Sequence, residues 1–102
     1  MLKYVYLISD TKTTSYKIGT SSNPEKRLKS LQTGNDNSLK IIHKVQCKNN
    51  TQVEKALHNQ FSFFKISGEW FELKQSDVDN FPQTCQTIDE NLEKIKSFKL
   101  YL

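Results

Sequence analysis

Long hydrophobic runs are the plainest absence from this 102-residue chain: the longest, such as Val5–Ile8 and Phe61–Phe64, fall far short of the ~18–20 residues needed to cross a bilayer. A membrane-spanning helix is therefore excluded. Cysteine is equally scarce. Cys47 and Cys85 stand 38 residues apart, with no Cys-x-x-Cys pair and no histidine at finger spacing. No zinc site is expected, and both are read as free thiols of a reducing compartment. The N-terminus has no basic region followed by a long apolar one, so no signal peptide is expected and the chain is assigned to the cytoplasm. Neither repeats, low-complexity tracts nor linkers appear, and 11.9 kDa has room for only one compact domain. With a single tryptophan, the core must draw on aliphatic side chains, six phenylalanines and four tyrosines.

What is present is unevenly charged. The formal net charge is +4, but residues 1–51 hold nine basic and three acidic side chains, whereas residues 52–102 hold six and eight. A basic N-terminal half suits a polyanionic partner.

Residues 3–9 and 16–20 are rich in β-branched and aromatic residues and are separated by the polar run Asp10–Ser15, which reads as a hairpin. With Tyr6 opposite Lys17, strand alternation places Val5, Leu7, Tyr16 and Ile18 on a core face and Tyr4, Tyr6, Lys17 and Gly19 on the other. In that register Gly19 lies opposite Tyr4 and leaves open space. Asn23-Pro24-Glu25 is a helix start and Gly34 its stop, with Leu28 and Leu31 as one narrow apolar stripe and Lys26, Arg27 and Lys29 facing outward. Residues 39–47 alternate as a third strand. Thr51-Gln52-Val53-Glu54 matches a capping box, and Val53, Leu57, Phe61 and Phe64 predict a helix over 52–64. Glu69–Leu73 is an extended segment after a turn at Gly68. A turn of helix over 76–81 ends at Pro82, and Ile88, Leu92 and Ile95 predict a last amphipathic helix from about Thr84 to Leu100. That divides the chain into residues 1–81 and a C-terminal helix, 82–102, packed on the same domain, whose apolar stripe would serve a homodimer.

The order Tyr-Val-Tyr-Leu-Ile, Tyr-Lys-Ile-Gly-Thr, Arg27 with Leu31-Gln32-Thr33-Gly34, Glu54-x-x-Leu-His58-x-x-Phe61 and Gly68-Glu69-Trp70-Phe71 resembles the GIY-YIG endonuclease superfamily. The likeness is to the small branch of phages, bacteria and large DNA viruses whose motif closes in Gly-Glu-Trp-Phe, and it covers residues 3 to about 73. It implies an α/β (α+β) fold, a small three-stranded antiparallel sheet flanked by helices, and hydrolysis of DNA phosphodiester bonds with one Mg²⁺ or Mn²⁺ ion. Products would carry 5′-phosphate and 3′-hydroxyl ends, in a bacterium or a virus-infected cell.

By position, the resemblance makes Tyr6 the general base, Arg27 the phosphate clamp and Glu54 the metal ligand. Lys17 stands where the pattern has tyrosine and Tyr4 where it has glycine. Lys17 then has two roles open to it, polarising Tyr6 or touching DNA. Lys12, Lys26 and Lys29 would follow the DNA backbone. Glu54 can serve as cap and metal ligand at once, having two oxygens. His58, one turn on, is either a proton carrier beside the site or a structural histidine. His43 is read as structural and Glu69 as a cap or brace of the site. A fold of this kind that binds DNA without cutting it, as a binding module or regulator, is the alternative reading.

Overall fold

A computed structural model describes residues 2–99. A five-stranded antiparallel sheet carries one helix on one face and two on the other. Its strands are β1 (Tyr4–Asp10), β2 (Ser15–Ser21), β3 (Leu39–Gln46), β4 (Lys65–Ser67) and β5 (Trp70–Glu72), in the order β3-β1-β2-β5-β4. The helices are α1 (Pro24–Thr33), α2 (Asn50–Gln60) and α3 (Gln75–Lys99), with a 3₁₀ turn at Ser62–Phe64. The mixed α+β class follows the sequence expectation. The sheet has five strands rather than three, because Lys65–Ser67 and Trp70–Glu72 fold back on each other about Gly68, at φ +55, and add to β2. Three-residue strands are too short to show a period.

Strand β1 is central and covered on both faces, hence its unbroken apolar run. Val5 and Leu7 join Ile18, Val45, Val53, Leu57, Phe71, Val78, Phe81 and Cys85 beneath α2 and α3, while Tyr6 and Ile8 join Leu39 on the α1 side, covered by Leu28, Leu31, Ile41 and Trp70. The faces are those expected of the hairpin, but the register is two residues different. Tyr6 lies opposite Gly19, and Lys17 opposite Ile8 on one side and Trp70 on the other. A two-residue slip preserves alternation. Its cause is the turn, in which the Asp10 carbonyl accepts the Thr13 N–H at 3.1 Å and the Asp10 carboxylate accepts the Lys12 N–H at 3.1 Å.

Helix α1 forms as its sequence dictates, with the Asn23 side chain accepting the Lys26 N–H at 3.1 Å and Gly34 at the C-cap. Helix α2 starts earlier than expected, and no capping box forms. Asn49 is its N-cap residue, and Thr51 lies exposed inside the helix. The entrance is held from α3, where the Asp89 carboxylate accepts the N–H groups of Lys48 (2.9 Å) and Asn49 (2.8 Å) and the Asn49 amide (2.9 Å). Burial alone would raise Asp89, but these hydrogen bonds outweigh it and hold the carboxyl below its ordinary range. Glu93 accepts from the same Asn49 amide, and Lys96 donates to its carbonyl oxygen. The helix also ends sooner, at Gln60, and Phe64 is half exposed rather than in the core.

Pro82 does not break the C-terminal helix, which runs unbroken from Gln75 to Lys99. Proline removes the N–H that would bond to the carbonyl four residues back, here Val78. That carbonyl accepts instead from His43 Nε2, at 2.8 Å, and the imidazole stacks on Phe81 with ring centroids 5.9 Å apart. His43 is structural, as expected. Ile88 and Leu92 pack on the chain's own core, so of the expected dimer stripe only Ile95 stays exposed, joined by Phe98. The last expected helical residue, Leu100, lies outside the described residues. Both cysteines are free and buried, and burial pushes Cys47 up to about 11 and Cys85 to about 12, which leaves neither as a nucleophile. No helix among the described residues is long and apolar enough to cross a membrane.

The Val78 carbonyl gives a test. His43→Ala should lower stability by about 1–3 kcal/mol in denaturant unfolding, because it orphans a buried acceptor. In a Pro82→Ala background, where the helix regains its own N–H for Val78, the same substitution should have a clearly smaller effect.

Candidate functional site

Antiparallel pairing between β2 and β5 ends at Lys17 and Trp70. Ile18 is the next residue along β2; its N–H continues the register onto the residue just ahead of β5, and its carbonyl finds a partner outside the ladder. Its N–H donates to the Glu69 carbonyl at 3.1 Å, and its carbonyl accepts from His58 Nε2 at 2.9 Å. The carbonyl can only accept, so Nε2 carries the proton and Nδ1 is the ring nitrogen left to act as a ligand. The imidazole also leans on Phe71, centroids 5.0 Å apart. Glu54 lies one turn earlier on α2, and Glu69 at the β4–β5 turn. One potential ligand atom each from Glu54, His58 and Glu69 falls within 4.8 Å of the others.

This cluster is electrostatically uncomfortable as it stands. Burial, then the neighbouring Glu69 charge, raises the Glu54 carboxyl above its ordinary range, with His58, the Thr20 hydroxyl and Lys17 pulling it down. Glu69 has a cation of its own: Lys17 Nζ sits 3.1 Å from its Oε1 and 5.9 Å from the centre of the Trp70 ring. The Lys17 side chain is only 8% exposed. Two carboxylates and one imidazole nitrogen fit a hard divalent cation, whose charge would relieve their repulsion.

Tyr6 lies on the α1 face of the sheet, as Lys17 does, and is 1% exposed. A Cβ at Gly19 would stand 2.3 Å from its hydroxyl oxygen. The glycine is thus where the phenol rests, not open space opposite Tyr4. The expected partnership of Lys17 with Tyr6 does not form, because the register sets Lys17 against Glu69 instead. Burial raises the Tyr6 phenol above its ordinary value; the Arg27 guanidinium, by hydrogen bonding and by charge, pulls the other way, and the charges of Glu69 and Glu54 add to the rise. Arg27 is therefore the cation that acts on Tyr6.

The remaining expected residues lie apart from this centre. Tyr4 is half-buried at the start of the same strand, two residues before Tyr6, with Lys44 Nζ 5.5 Å from its ring centre. Lys12 is exposed on the hairpin turn, and Lys26 and Lys29 are exposed on α1. Ser21, Ser22, Asn23, Lys26, Arg27 and Ser30 line a hollow of about 280 Å³ at the start of α1. Glu69 is more central than a cap or brace. Its signal in the sequence was an acid directly after the turn glycine, at the head of the strand that pairs with Lys17.

Fold and cluster together define a small α+β domain carrying two carboxylates and an imidazole, spaced as metal ligands, where β2 runs past the end of β5. Its residues 3–86 match the family model described as the T5orf172 domain; the chain belongs to that family, whose domain is related to nuclease-type domains and is compatible with nuclease activity or DNA binding. No curated protein and no solved structure matches the chain. Asp89, Glu93 and Lys96, which hold the start of α2, lie beyond the matched residues.

Glu54 makes the cluster testable without any substrate. Its raised carboxyl binds a proton more tightly folded than unfolded, so its contribution to stability is full below the ordinary carboxylate range and is lost as pH rises through the raised value. In EDTA, Glu54→Gln should therefore match the wild type at low pH and melt at a higher temperature at pH ~7. Mn²⁺ should then raise the melting temperature of the wild type and leave that of the variant unchanged.

Proposed function

We propose that this chain is a divalent-metal-dependent DNA endonuclease of the GIY-YIG kind. The observation that carries the reading is the meeting of Glu54, His58 and Glu69 close enough to Tyr6 and Arg27 for the charges of Glu54, Glu69 and Arg27 all to act on the Tyr6 phenol. Glu54, Glu69 and His58 Nδ1 would hold one Mg²⁺ or Mn²⁺, which supplies Lewis-acid stabilisation of the phosphate charge. Arg27 clamps non-bridging phosphate oxygens by paired hydrogen bonds. Lys26 and the serines around it take the next phosphate along, and Lys29 and Lys12 extend the track. Tyr6, as phenolate, accepts the proton of the attacking water, having first released its own to solvent. The water oxygen bonds to phosphorus, the bond to the 3′-oxygen breaks, and a solvent proton completes the 3′-hydroxyl. Lys17 orients Glu69 and contributes positive charge beside the phosphate.

Because Tyr6 must ionise against its raised pKa, cleavage should speed up as pH rises above neutrality. One observation favours a second reading, in which the fold binds DNA without cutting. Tyr6 rests as a neutral phenol, and Lys17, at the position of the second tyrosine, is committed to Glu69.

Supercoiled plasmid separates the two. With Mg²⁺ or Mn²⁺ the wild type should convert it to nicked circles, EDTA should stop the reaction, and Tyr6→Phe, Arg27→Ala and Glu54→Ala should each slow it by about a hundredfold or more. If neither metal supports cutting while the protein still retards DNA at low salt, the binding reading is the correct one.

A further inference from the structure

The face that bears Tyr6 and Lys17 does not end at Lys17. Trp70 pairs with Lys17 across the β2–β5 ladder, and Ser67 pairs with Trp70 across the next. One strand spacing is about 4.8 Å, so the sheet edge at β4 stands roughly 10 Å from Lys17. Within that span Asp10, Ser15, Asn35, Ile66, Ser67 and Trp70 line a cavity of about 150 Å³. Its volume is below that of sites for drug-sized ligands and suits a single flat ring. Its chemistry is not that of a phosphate site, since no cation lines it. An indole forms one wall, and Ile66, 54% exposed, stands at the rim without apolar cover. The polar edge is a carboxylate and a carboxamide. Each Asp10 oxygen accepts one internal hydrogen bond, from the Lys12 N–H and the Asn37 amide, and keeps a lone pair for another donor. An aromatic wall with acceptors at its edge matches a nucleobase bearing an exocyclic amino group. The ammonium of Lys17, next along the face, matches the phosphate attached to it.

We propose that this cavity takes one unpaired base of the DNA, stacked on Trp70, so that the substrate is single-stranded or locally unpaired DNA rather than regular duplex. The inference rests on the DNA reading above. A base inside a duplex is stacked on both sides and cannot enter, whereas an unpaired one can turn out of line and exchange its neighbour for the indole. Selectivity then comes from DNA structure, read by the cavity itself.

Trp70 is the only tryptophan in the chain, so tryptophan fluorescence reports on this one side chain. The full chain in EDTA at low salt, where nothing is cut, is titrated with a labelled single strand and with the same sequence as a blunt duplex, following tryptophan emission and label anisotropy together. The single strand should quench Trp70, and the duplex should bind without quenching it. Ile66→Ser, at an exposed position, should weaken single-strand binding about fivefold and leave duplex binding unchanged. A single strand that binds without quenching, a duplex that quenches equally, or an Ile66→Ser effect equal on both would overturn the cavity while leaving DNA binding intact. Failure of both DNAs to change anisotropy would overturn the DNA reading and the cavity with it.

Discussion

The arrangement depends on one residue, Ile18, and on where strand pairing stops beside it. A backbone N–H and carbonyl where strand pairing ends must find partners; Glu69, just ahead of β5, still reaches the N–H, but no strand partner reaches the carbonyl. The Glu69 carbonyl and the His58 imidazole take those places. In doing so they fix the β4–β5 turn and helix α2 to the same point on β2, and this brings Glu69, His58 and Glu54 together. The tautomer of His58 follows from the same contact. If pairing ran one step further, the Glu69 N–H would take the Ile18 carbonyl and His58 would lose its anchor beside Glu69.

Around that point the charges are arranged against stability. Glu54 and Glu69 repel each other, Lys17 is taken nearly out of water to meet Glu69, and Tyr6 is buried with its hydroxyl among these charges. A buried ion pair is weak evidence of stabilisation, because desolvation offsets most of its attraction. Groups held in this condition are characteristic of sites where an added cation and anion complete the balance. The burden falls elsewhere in the fold: the Asp89 carboxylate anchors the start of α2, and the two-faced packing of β1 holds the sheet rigid beneath the cluster.

Period-two alternation made the hairpin and its two faces legible in the sequence, and the caps at Asn23 and Gly34 did the same for α1. What alternation cannot fix is register, since a slip of two residues changes no face; that slip moved Lys17 from Tyr6 to Glu69 and brought Tyr6 onto Gly19. Nor could local rules foresee contacts made across the fold. Thr51 and Glu54 satisfy a capping pattern, yet Asp89, forty residues away from Asn49, sets where α2 begins. Pro82 signals a helix end, yet His43 supplies the missing partner and the helix continues. The motif order named Glu54, Tyr6 and Arg27 as site residues, and the charges of Arg27 and Glu54 both act on the Tyr6 phenol. Glu69 reached the centre through a turn that only the folded chain reveals.

Glu54, His58 and Glu69 are proposed to hold one divalent cation. Titration of Mn²⁺ into the metal-free chain, with free ion counted by electron paramagnetic resonance, tests it most directly. One ion should bind per chain in the wild type, and binding should be lost in Glu54→Gln and in Glu69→Gln while both variants stay folded. No bound ion in the wild type, or one retained in both variants, would contradict it.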